Sequence, residues 1–332
     1  MYRRYVSPIP AARLGDTYLR YMSPETRPVP PARDEGRAAL LAGLACYTIW
    51  GLFPIYMYAL GHAGVKPLEI TAERAAWALL WAGGLVLAAR KQGELLRVLG
   101  EPRTLALLFG SAILISINWL LYVVAVTSGR TLEASLGYYI NPLMNMAAGA
   151  LFFRERIDRI GGAAICLATL GVAVQTLAVG HPPLLSLGLA VSFCGYGLIR
   201  KQVNADAQTG LFVETAILAV PATAYVIWLQ RQGLGHFGSD AGTTVLLLLS
   251  GPLTIAPLAL FAWAARRISL VWLGFLQFIA PTLQFFVGIA FGEAFTPMKA
   301  VAFAFIWLGV GVFAFGAWRA HPGIGGGLGA RS

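Results

Sequence analysis

Four ionisable side chains lie within apolar stretches, where a charge is expensive to bury. Glu73 and Arg74 lie in EITAERAAWALL, Glu133 in TLEASLGYYI and Glu214 in GLFVETAILAV. A charged side chain at the centre of a bilayer costs roughly 2.5–3.5 kcal/mol on insertion scales, so each of the four is a functional candidate. The chemistry open to them is electrostatic. An arginine can hold an anionic group, and a carboxylate can carry a proton or gate a passage.

The positions of these groups suggest different roles. Glu73 and Arg74 are adjacent, so on a helix they point about 100° apart and do not face each other. We therefore expect Arg74 to contact Glu133 or an anionic solute. Glu73 and Glu214 each lie about one turn from an end of their segments, where gates or proton carriers would be placed. Glu214 is the leading candidate for proton coupling. The alternative for both is a helix-end glutamate that reaches water.

A polar arc runs along the stretch from Thr131 to Glu155, TLEASLGYYINPLMNMAAGALFFRE. At about 100° per residue, one side of this helix carries the polar groups and the other carries leucines. We interpret the arc as the lining of a cavity. The alternative is that its amides only hydrogen-bond neighbouring helices, at about 0.6–2 kcal/mol each. The polar side comprises Glu133, Tyr138, Asn141 and Asn145.

The same pattern recurs from Ser269 to Glu293, SLVWLGFLQFIAPTLQFFVGIAFGE. We expect the two copies to line one cavity with unlike polar groups. Each copy also contains a proline, which removes a backbone donor and so predicts a kink that serves as a hinge or only as a shape. The equivalent pairs are Pro142 with Pro281, Tyr138 with Gln277 and Asn145 with Gln284.

The duplication extends over five helical segments. At one constant offset Asn118 aligns with Pro257 and Tyr122 with Phe261. Because five is an odd number, the second set must enter the membrane from the opposite side, which gives an inverted-topology repeat. Inverted repeats with polar, Gly- and Pro-interrupted segments at matching positions place a solute site near the midplane and work by alternating access. Asn118, Tyr122 and Tyr196 join the expected lining of that site.

The composition predicts a membrane protein. Of 332 residues, 58% are hydrophobic and 12% charged, against about 45–50% and about 25% in soluble domains. Apolar segments of about 20 residues follow one another too closely to leave room for a soluble catalytic domain. We predict an all-α polytopic membrane protein with ten transmembrane helices as a 5+5 inverted-topology repeat. The predicted spans are 37–60, 69–90, 104–127, 131–153, 159–179, 183–200, 210–230, 243–265, 269–292 and 297–318.

Four parts follow from these spans, and the charges between them indicate an orientation. Loops rich in arginine and lysine alternate with poor ones, and by the positive-inside rule both termini are cytoplasmic. The predicted parts are a disordered basic N-terminal tail (1–36), a first five-helix repeat (37–180), a second five-helix repeat (181–318) and a Gly-rich C-terminal tail (319–332).

Signatures of catalysis and metal binding are missing from the sequence. The four histidines lie in predicted loops or the tail without metal-ligand spacing, and neither a Walker loop nor a nucleophile elbow is present. We therefore expect no enzyme, no metal and no cofactor. The formal charge of +10 sits in short clusters between apolar segments, so membrane lipids are expected partners and nucleic acid is not. The glycine pairs Gly288/Gly292 and Gly309/Gly311 favour close helix contact or a homodimer.

Several strings carry a resemblance to a known family. They resemble the drug/metabolite transporter superfamily, in its EamA-type, RarD-like branch, over about residues 37–318. The resemblance implies ten helices in a 5+5 inverted repeat, a central cavity built by the first four helices of each half, and peripheral fifth and tenth helices. The strings are YTIWG at 47–51, SINWLLY at 116–122, LEASLGYYINPL at 132–143, SFCGYGLIRK at 192–201, AQTGLFVET at 207–215 and LGFLQFIAPTL at 273–283.

Together these observations predict a secondary active transporter in the inner membrane of a bacterium. It would move a small metabolite or drug-like solute by alternating access, with the proton as a candidate coupling ion. Two alternatives stay open. One is an uncoupled facilitator or channel of the same fold, and the other is a membrane interaction protein whose polar arc binds a partner helix.

Overall fold

A computed structural model describes residues 33–153, 157–179, 182–268 and 270–320. Within these ranges the chain forms twelve helices and no strand. Most of the predicted tails, together with Glu155 and Ser269 from the repeated stretches, lie outside the described residues. The helices are α1 Arg33–His62, α2 Pro67–Ala88, α3 Gln92–Leu99, α4 Pro102–Thr127, α5 Thr131–Phe153, α6 Arg159–Val179, α7 Leu184–Arg200, α8 Ala207–Arg231, α9 Ala241–Ala265, α10 Leu270–Leu276, α11 Ile279–Ala290 and α12 Pro297–Ala320.

Eight stretches of the described chain are long and apolar enough to cross a membrane. They comprise α1, α2, α4, α6, α8, α9, α12 and the combined α10 and α11. Two further predicted spans do not meet this test: α5 carries the polar arc, which lowers its mean hydropathy, and α7 has only 17 residues. The all-α polytopic membrane fold is therefore confirmed, while the count of ten spans stays a prediction.

Local chemistry accounts for several helix starts. Asp206 and Asp240 precede α8 and α9, and each accepts a hydrogen bond at 2.8 Å from a backbone N–H in the first turn. This satisfies a donor that the helix itself cannot pair. The helices α2 and α4 begin with Pro67 and Pro102, whose missing N–H costs nothing in a first turn.

The two equivalent prolines affect their helices differently. The helix α5 continues through Pro142, whereas the second copy is broken: α10 ends at Leu276 and α11 begins at Ile279. Pro281 lies in the first turn of α11, where it has no N–H to donate to the carbonyl of Gln277. Only the second copy is therefore interrupted, and the kinks expected at the two prolines stay a prediction.

Helix contacts are paired across the two predicted halves. Helix α2 packs on α8, α5 on α11, and α6 on α12. The remaining major contacts come in reciprocal pairs, α4–α7 with α9–α1 and α5–α7 with α11–α1, and the α2–α9 contact has a less extensive counterpart in α4–α8. Exchanging the two halves leaves this set of contacts unchanged, as an inverted repeat requires. The boundary between 180 and 181 lies outside the described residues, so the domain limits stay a prediction.

Equivalent glycines allow α6 and α12 to pack closely. A Cβ on Gly171 would lie 2.8 Å from the carbonyl oxygen of Ala302, and one on Gly309 would lie 2.9 Å from that of Ala164. Only a residue without a side chain permits these backbone approaches. Gly309 thus serves a contact within the chain, whereas Gly311 has nothing within 4 Å. A homodimer stays a prediction.

Polar contacts join the loops on one side of the bundle. We call this side, which carries residues 88–102, 200–207 and 265–268, the basic face, and the other side the opposite face. Lys91 Nζ lies 2.7 Å from Asp206 Oδ2, and Glu94 Oε1 accepts a hydrogen bond of 2.9 Å from the Asp206 N–H. The short helix α3, which the sequence did not predict, thereby ties the α2 end to the α8 start.

The α6–α12 contact generates a matched pair of glycine substitutions. We expect Gly309→Ala to lower the thermal midpoint of the detergent-solubilised protein, because the new methyl group overlaps a backbone oxygen. Overpacking of this kind costs about 1–3 kcal/mol. Gly311→Ala is the control, because it raises the helix propensity of the same helix by the same amount and its methyl group overlaps no other atom of the described residues. Equal midpoints for the two variants, measured by size exclusion after brief heating, would contradict this packing.

The basic-face contacts predict a dependence of stability on pH. Burial raises the pKa of Asp206, but the Lys91 ammonium and the hydrogen bond from the Thr209 N–H outweigh it, and the net shift is downward. A carboxylate whose pKa is lowered by folding stabilises the fold above its unfolded pKa of about 3.9 and loses that contribution as pH falls through the folded value. Asp206→Asn keeps a good N-cap. It should therefore lower the midpoint at pH near 7 and have a smaller effect as the pH falls below about 4. If the thermal midpoint of Asp206→Asn lay below that of the wild type by the same amount at both pH values, the charge of Asp206 would be excluded as the cause.

Candidate functional site

A large cavity lies inside the helix bundle, with a volume of about 830 Å³. Cavities of about 300–1,000 Å³ suit drug-sized ligands. Every helix except α3 and α6 contributes a residue to its described lining. The resemblance placed both the fifth and the tenth span at the periphery. This holds for α6, but α12 reaches the cavity through Phe313 and Ala314.

The structure brings most of the predicted site residues together around this cavity. Of the four residues proposed for coupling or gating, Glu214 and Pro281 line it, whereas Glu73 and Pro142 do not. Of the ten proposed for substrate binding, only Glu133 is outside the described lining. Their part in transport stays a prediction. The nine in the lining are Arg74, Asn118, Tyr122, Tyr138, Asn141, Asn145, Tyr196, Gln277 and Gln284.

The cavity is largely aromatic and extends toward the basic face. Tyr196 lies in the last turns of α7, Leu211 in the first turns of α8 and Phe313 near the end of α12, all close to that face. Rings can bind flat or apolar ligands by stacking and burial. The aromatic lining consists of Tyr47, Trp50, Phe53, Trp119, Tyr122, Tyr138, Phe193, Tyr196, Phe261, Phe275, Phe278 and Phe313.

Arg74 is a buried cation at the cavity wall, with only 6% of its surface exposed. Its Nε donates a hydrogen bond of 2.8 Å to Thr254 Oγ1. The guanidinium carbon lies 4.3 Å from the ring centroid of Trp119 and 4.9 Å from that of Phe53. No carboxylate among the described residues lies within ion-pair distance of it. Arg74 is therefore held by rings and a hydroxyl rather than by a counter-charge.

The amides of the lining divide into two groups. Asn118 Nδ2 donates to Leu189 O at 2.9 Å and to Ser192 Oγ at 3.1 Å, so this side chain links α4 to α7. Two other amides keep a free acceptor: Asn141 Oδ1 and Gln284 Oε1 are buried without a hydrogen-bond partner among the described residues. Gln284 Nε2 donates to Trp50 O at 3.1 Å and so links α11 to α1. The structural alternative, helix-to-helix bonding, thus fits both Asn118 and Gln284.

Glu214 is a buried carboxylate near the basic end of the cavity. Ser111 donates to Oε1 at 2.5 Å, Tyr196 donates to Oε2 at 3.3 Å, and Arg200 Nη1 lies 3.6 Å from Oε1. Gly210 makes room for this cation, since a Cβ there would lie 1.9 Å from Arg200 Nη1. The carboxylate therefore has a counter-charge and two hydroxyl donors.

Two acidic residues have other contacts than the sequence suggested. Glu133 forms a bidentate ion pair with Arg130, at 2.9 and 2.7 Å. The expectations that it contacts Arg74 and lines the cavity do not hold, because this nearby arginine binds it at the start of α5. Glu73 accepts a hydrogen bond of 2.8 Å from Trp77 Nε1 on the same helix, and its other oxygen is buried without a hydrogen-bond partner among the described residues.

Glu293 joins helices on the opposite face by capping α5. Its carboxylate accepts hydrogen bonds from the backbone N–H groups of Thr131 and, at 2.9 Å, Leu132, and from the Tyr58 hydroxyl at 3.0 Å. The Tyr58 ring stacks on Phe291 with centroids 4.1 Å apart. These contacts join α1, the start of α5 and the segment after α11. The sequence showed Glu293 only as the end of the repeat.

A second closing contact on the opposite face involves Glu69 and His236. The buried Glu69 carboxylate accepts the His236 N–H at 2.6 Å, and its other oxygen lies 2.8 Å from His236 Nδ1. This binds the first turn of α2 to the loop between α8 and α9. Sequence reasoning gave His236 no role and did not single out Glu69. The sequence signal for this contact is the acidic residue in the first turn of a helix, where a negative charge is favourable.

Comparisons with known proteins identify relatives along most of the chain. The family model described as EamA-like transporter family matches residues 37–177. An "Uncharacterized transporter" of Vibrio cholerae is 38% identical, covering 87% of this chain and 96% of the relative. "Protein RarD" of Escherichia coli is 39% identical, covering 85% and 95%. A solved "Crystal structure of protein" has a TM-score of 0.55 at 20% identity, covering 86% of this chain and 99% of its own, and shares the fold.

The two carboxylates at the start of α5 provide a contrast that tests the cap. Glu293→Gln leaves one acceptor oxygen and no charge facing the helix N-terminus, so we expect a loss of about 0.5–2 kcal/mol. Glu133→Gln removes a partly exposed ion pair, worth about 0–1 kcal/mol. Thermal midpoints in detergent should therefore fall further for Glu293→Gln. A larger fall for Glu133→Gln would contradict the closing role of Glu293.

Proposed function

Because this chain belongs to the EamA-like transporter family, in its RarD-like branch, we propose that it is a secondary active transporter that works by alternating access. The relatives' names point to transport rather than to catalysis. The observation that carries the proposal is a cavity of about 830 Å³ that extends toward the basic face while bonded contacts close the opposite face. A carrier that has one side closed at a time needs this geometry.

The orientation and location are part of the proposal. Arg90, Lys91, Arg200 and Arg267 border the basic face, and the positive-inside rule makes that face cytoplasmic. The cavity then opens toward the cytoplasm, with both termini on the same side. Relatives in bacteria support the inner membrane as the location.

Opening the opposite face requires specific contacts to break. The Glu293 carboxylate would leave the α5 N-terminus and Glu69 would release His236. At the same time the basic end of the cavity would close, bringing α7 and α8 closer to α10 and α12. The reciprocal helix contacts allow the same rearrangement to run in either half, which favours a rocking carrier.

Glu214 is the candidate proton carrier. It lines the cavity and lies 3.6 Å from a cation that it would release on protonation. Glu73 is the weaker candidate because it does not belong to the described lining. The uncoupled facilitator remains the alternative for the same cavity. A channel is disfavoured by the contacts that seal the opposite face, and a pure interaction protein has no need for the cavity.

The proposal is tested by transport in proteoliposomes. Metabolite profiling of cells with and without the protein would supply solutes whose levels change, and these are then assayed under an imposed pH gradient. One pH unit corresponds to about 1.4 kcal/mol per proton, which supports about tenfold accumulation. We expect accumulation by the wild type and by Glu133→Gln, whereas Glu214→Gln should exchange solute without gradient-driven accumulation.

Other results would redirect the assignment. Flux of the wild type that equilibrates but never accumulates solute under any ion gradient would indicate the facilitator. Accumulation by Glu214→Gln equal to that of the wild type would remove this carboxylate from proton coupling while leaving transport intact. Absence of flux for every candidate solute, in protein that is monodisperse and correctly inserted, would contradict the transporter.

A further inference from the structure

We propose that the cavity binds a small amphipathic monoanion, a carboxylate held by Arg74 with its apolar body against the aromatic wall. This inference rests on the proposed function, in that it takes the cavity as the substrate site. It goes further by naming the class of solute. The chemistry follows from the charges in the lining, from the contacts of Arg74 and from the aromatic wall of the cavity.

The charge balance of the lining selects an anion. Among the described residues that line the cavity, Arg74 and Glu214 are the ones that carry a formal charge. Arg200 stands 3.6 Å from Glu214 and compensates it. Arg74 has no such partner, so this balance leaves one positive charge. A monoanion neutralises it, whereas an amine would add a second uncompensated charge and a dianion would leave an excess.

The surroundings of Arg74 leave one part of the guanidinium for a ligand. Thr254 Oγ1 accepts the hydrogen bond of Arg74 Nε, and the rings of Trp119 and Phe53 contact the cation. The two terminal amino groups have no hydrogen-bond acceptor among the described residues. A guanidinium presents paired, coplanar N–H groups that match the two oxygens of a carboxylate. The pocket thus favours a planar carboxylate at this edge.

Burial of Arg74 increases the free energy that a bound counter-charge would contribute. The side chain is 6% exposed, and an unpaired charge away from water carries a large desolvation cost. Cation–π contact offsets part of that cost and holds the group in place. A bound carboxylate would supply what the protein does not, and the same charge pairing would help to occlude the solute when the halves close.

The rest of the cavity describes the body of the solute. Its remaining wall is mainly aromatic, including Trp50 and Phe261, and it provides about 830 Å³ in total. The fitting solute is therefore a carboxylate with a flat or apolar body. Acetate alone would leave the wall unused.

Isothermal titration calorimetry of the full chain in detergent tests the inference with four probes. Naphthylacetate, naphthylacetamide and naphthylethylamine share a body and differ in charge, and acetate lacks the body. We expect naphthylacetate to bind at least about tenfold more tightly than each of the other three. Equal or tighter binding of the amide or the amine by the wild type would overturn the proposal, and so would the absence of measurable naphthylacetate binding.

Variants separate a binding role of Arg74 from a purely structural one. Arg74→Gln should weaken naphthylacetate binding about tenfold or more, to the level of the amide, while leaving amide binding unchanged. Arg74→Lys, which keeps the charge without the planar fork, should fall between. Arg267→Gln on the basic face, where the arginine pairs with Glu35, is the matched control and should bind as the wild type does. An equal loss of amide and carboxylate binding in Arg74→Gln would overturn the proposal, because it would indicate a collapsed cavity.

Failure of this inference is distinct from failure of the transporter. Carriage of an amine or a neutral solute against a gradient would leave the proposed function standing and overturn the carboxylate class. Selective carboxylate binding in detergent, with no flux of any solute in proteoliposomes, would support the site and contradict the transporter.

Discussion

A charge placed in hydrocarbon needs a partner, and the positions of the buried charges organise this molecule. Glu214 lies near the Arg200 guanidinium, and Glu293 accepts hydrogen bonds from the N-terminus of α5. Glu69 contacts the backbone N–H and the ring of His236. Each of these pairs joins different parts of the chain, so the electrostatic requirement of one residue becomes a contact between helices. Two buried ionisable side chains lack a counter-charge among the described residues: Glu73 accepts a hydrogen bond from Trp77, and aromatic rings and a hydroxyl surround Arg74, which lines the cavity. The contacts that hold the bundle closed and the group left for a ligand thus arise from one constraint.

Periodicity was enough to predict part of the polar lining of the cavity, because residues on one arc of a buried helix share a neighbourhood. Tyr138, Asn141 and Asn145 were found in this way, and the repeat added Gln277 and Gln284. The partners of the charges were harder to predict. Glu293 meets α5 across a sequence separation of 161 residues, and no local pattern encodes a contact at that distance. The expected contact between Glu133 and Arg74 failed for a different reason. Arg130 lies three residues before Glu133 and already pairs with it.

The symmetry of the fold does not extend to its chemistry. The helix pairs in contact have counterparts when the two halves are exchanged. However, α5 runs unbroken through Pro142, whereas the equivalent element is interrupted at Gln277 and Phe278. Proline removes the same donor in both places, so the difference comes from the surroundings. At the break, side chains of Gln277 and Phe278 both reach the cavity. Tyr138, the equivalent of Gln277, also lines the cavity from the unbroken helix α5, so the two copies place unlike side chains at the same position.

The glycine contact between α6 and α12 has a mechanical consequence. Surfaces that meet with Cβ positions less than 3 Å from a facing backbone oxygen cannot slide along each other without overlap, although they can tilt about the point of contact. The α6–α12 pair therefore resembles a pivot of fixed length at the edge of the bundle. Relative movement of the two halves at this edge of the bundle is therefore a rotation rather than a translation.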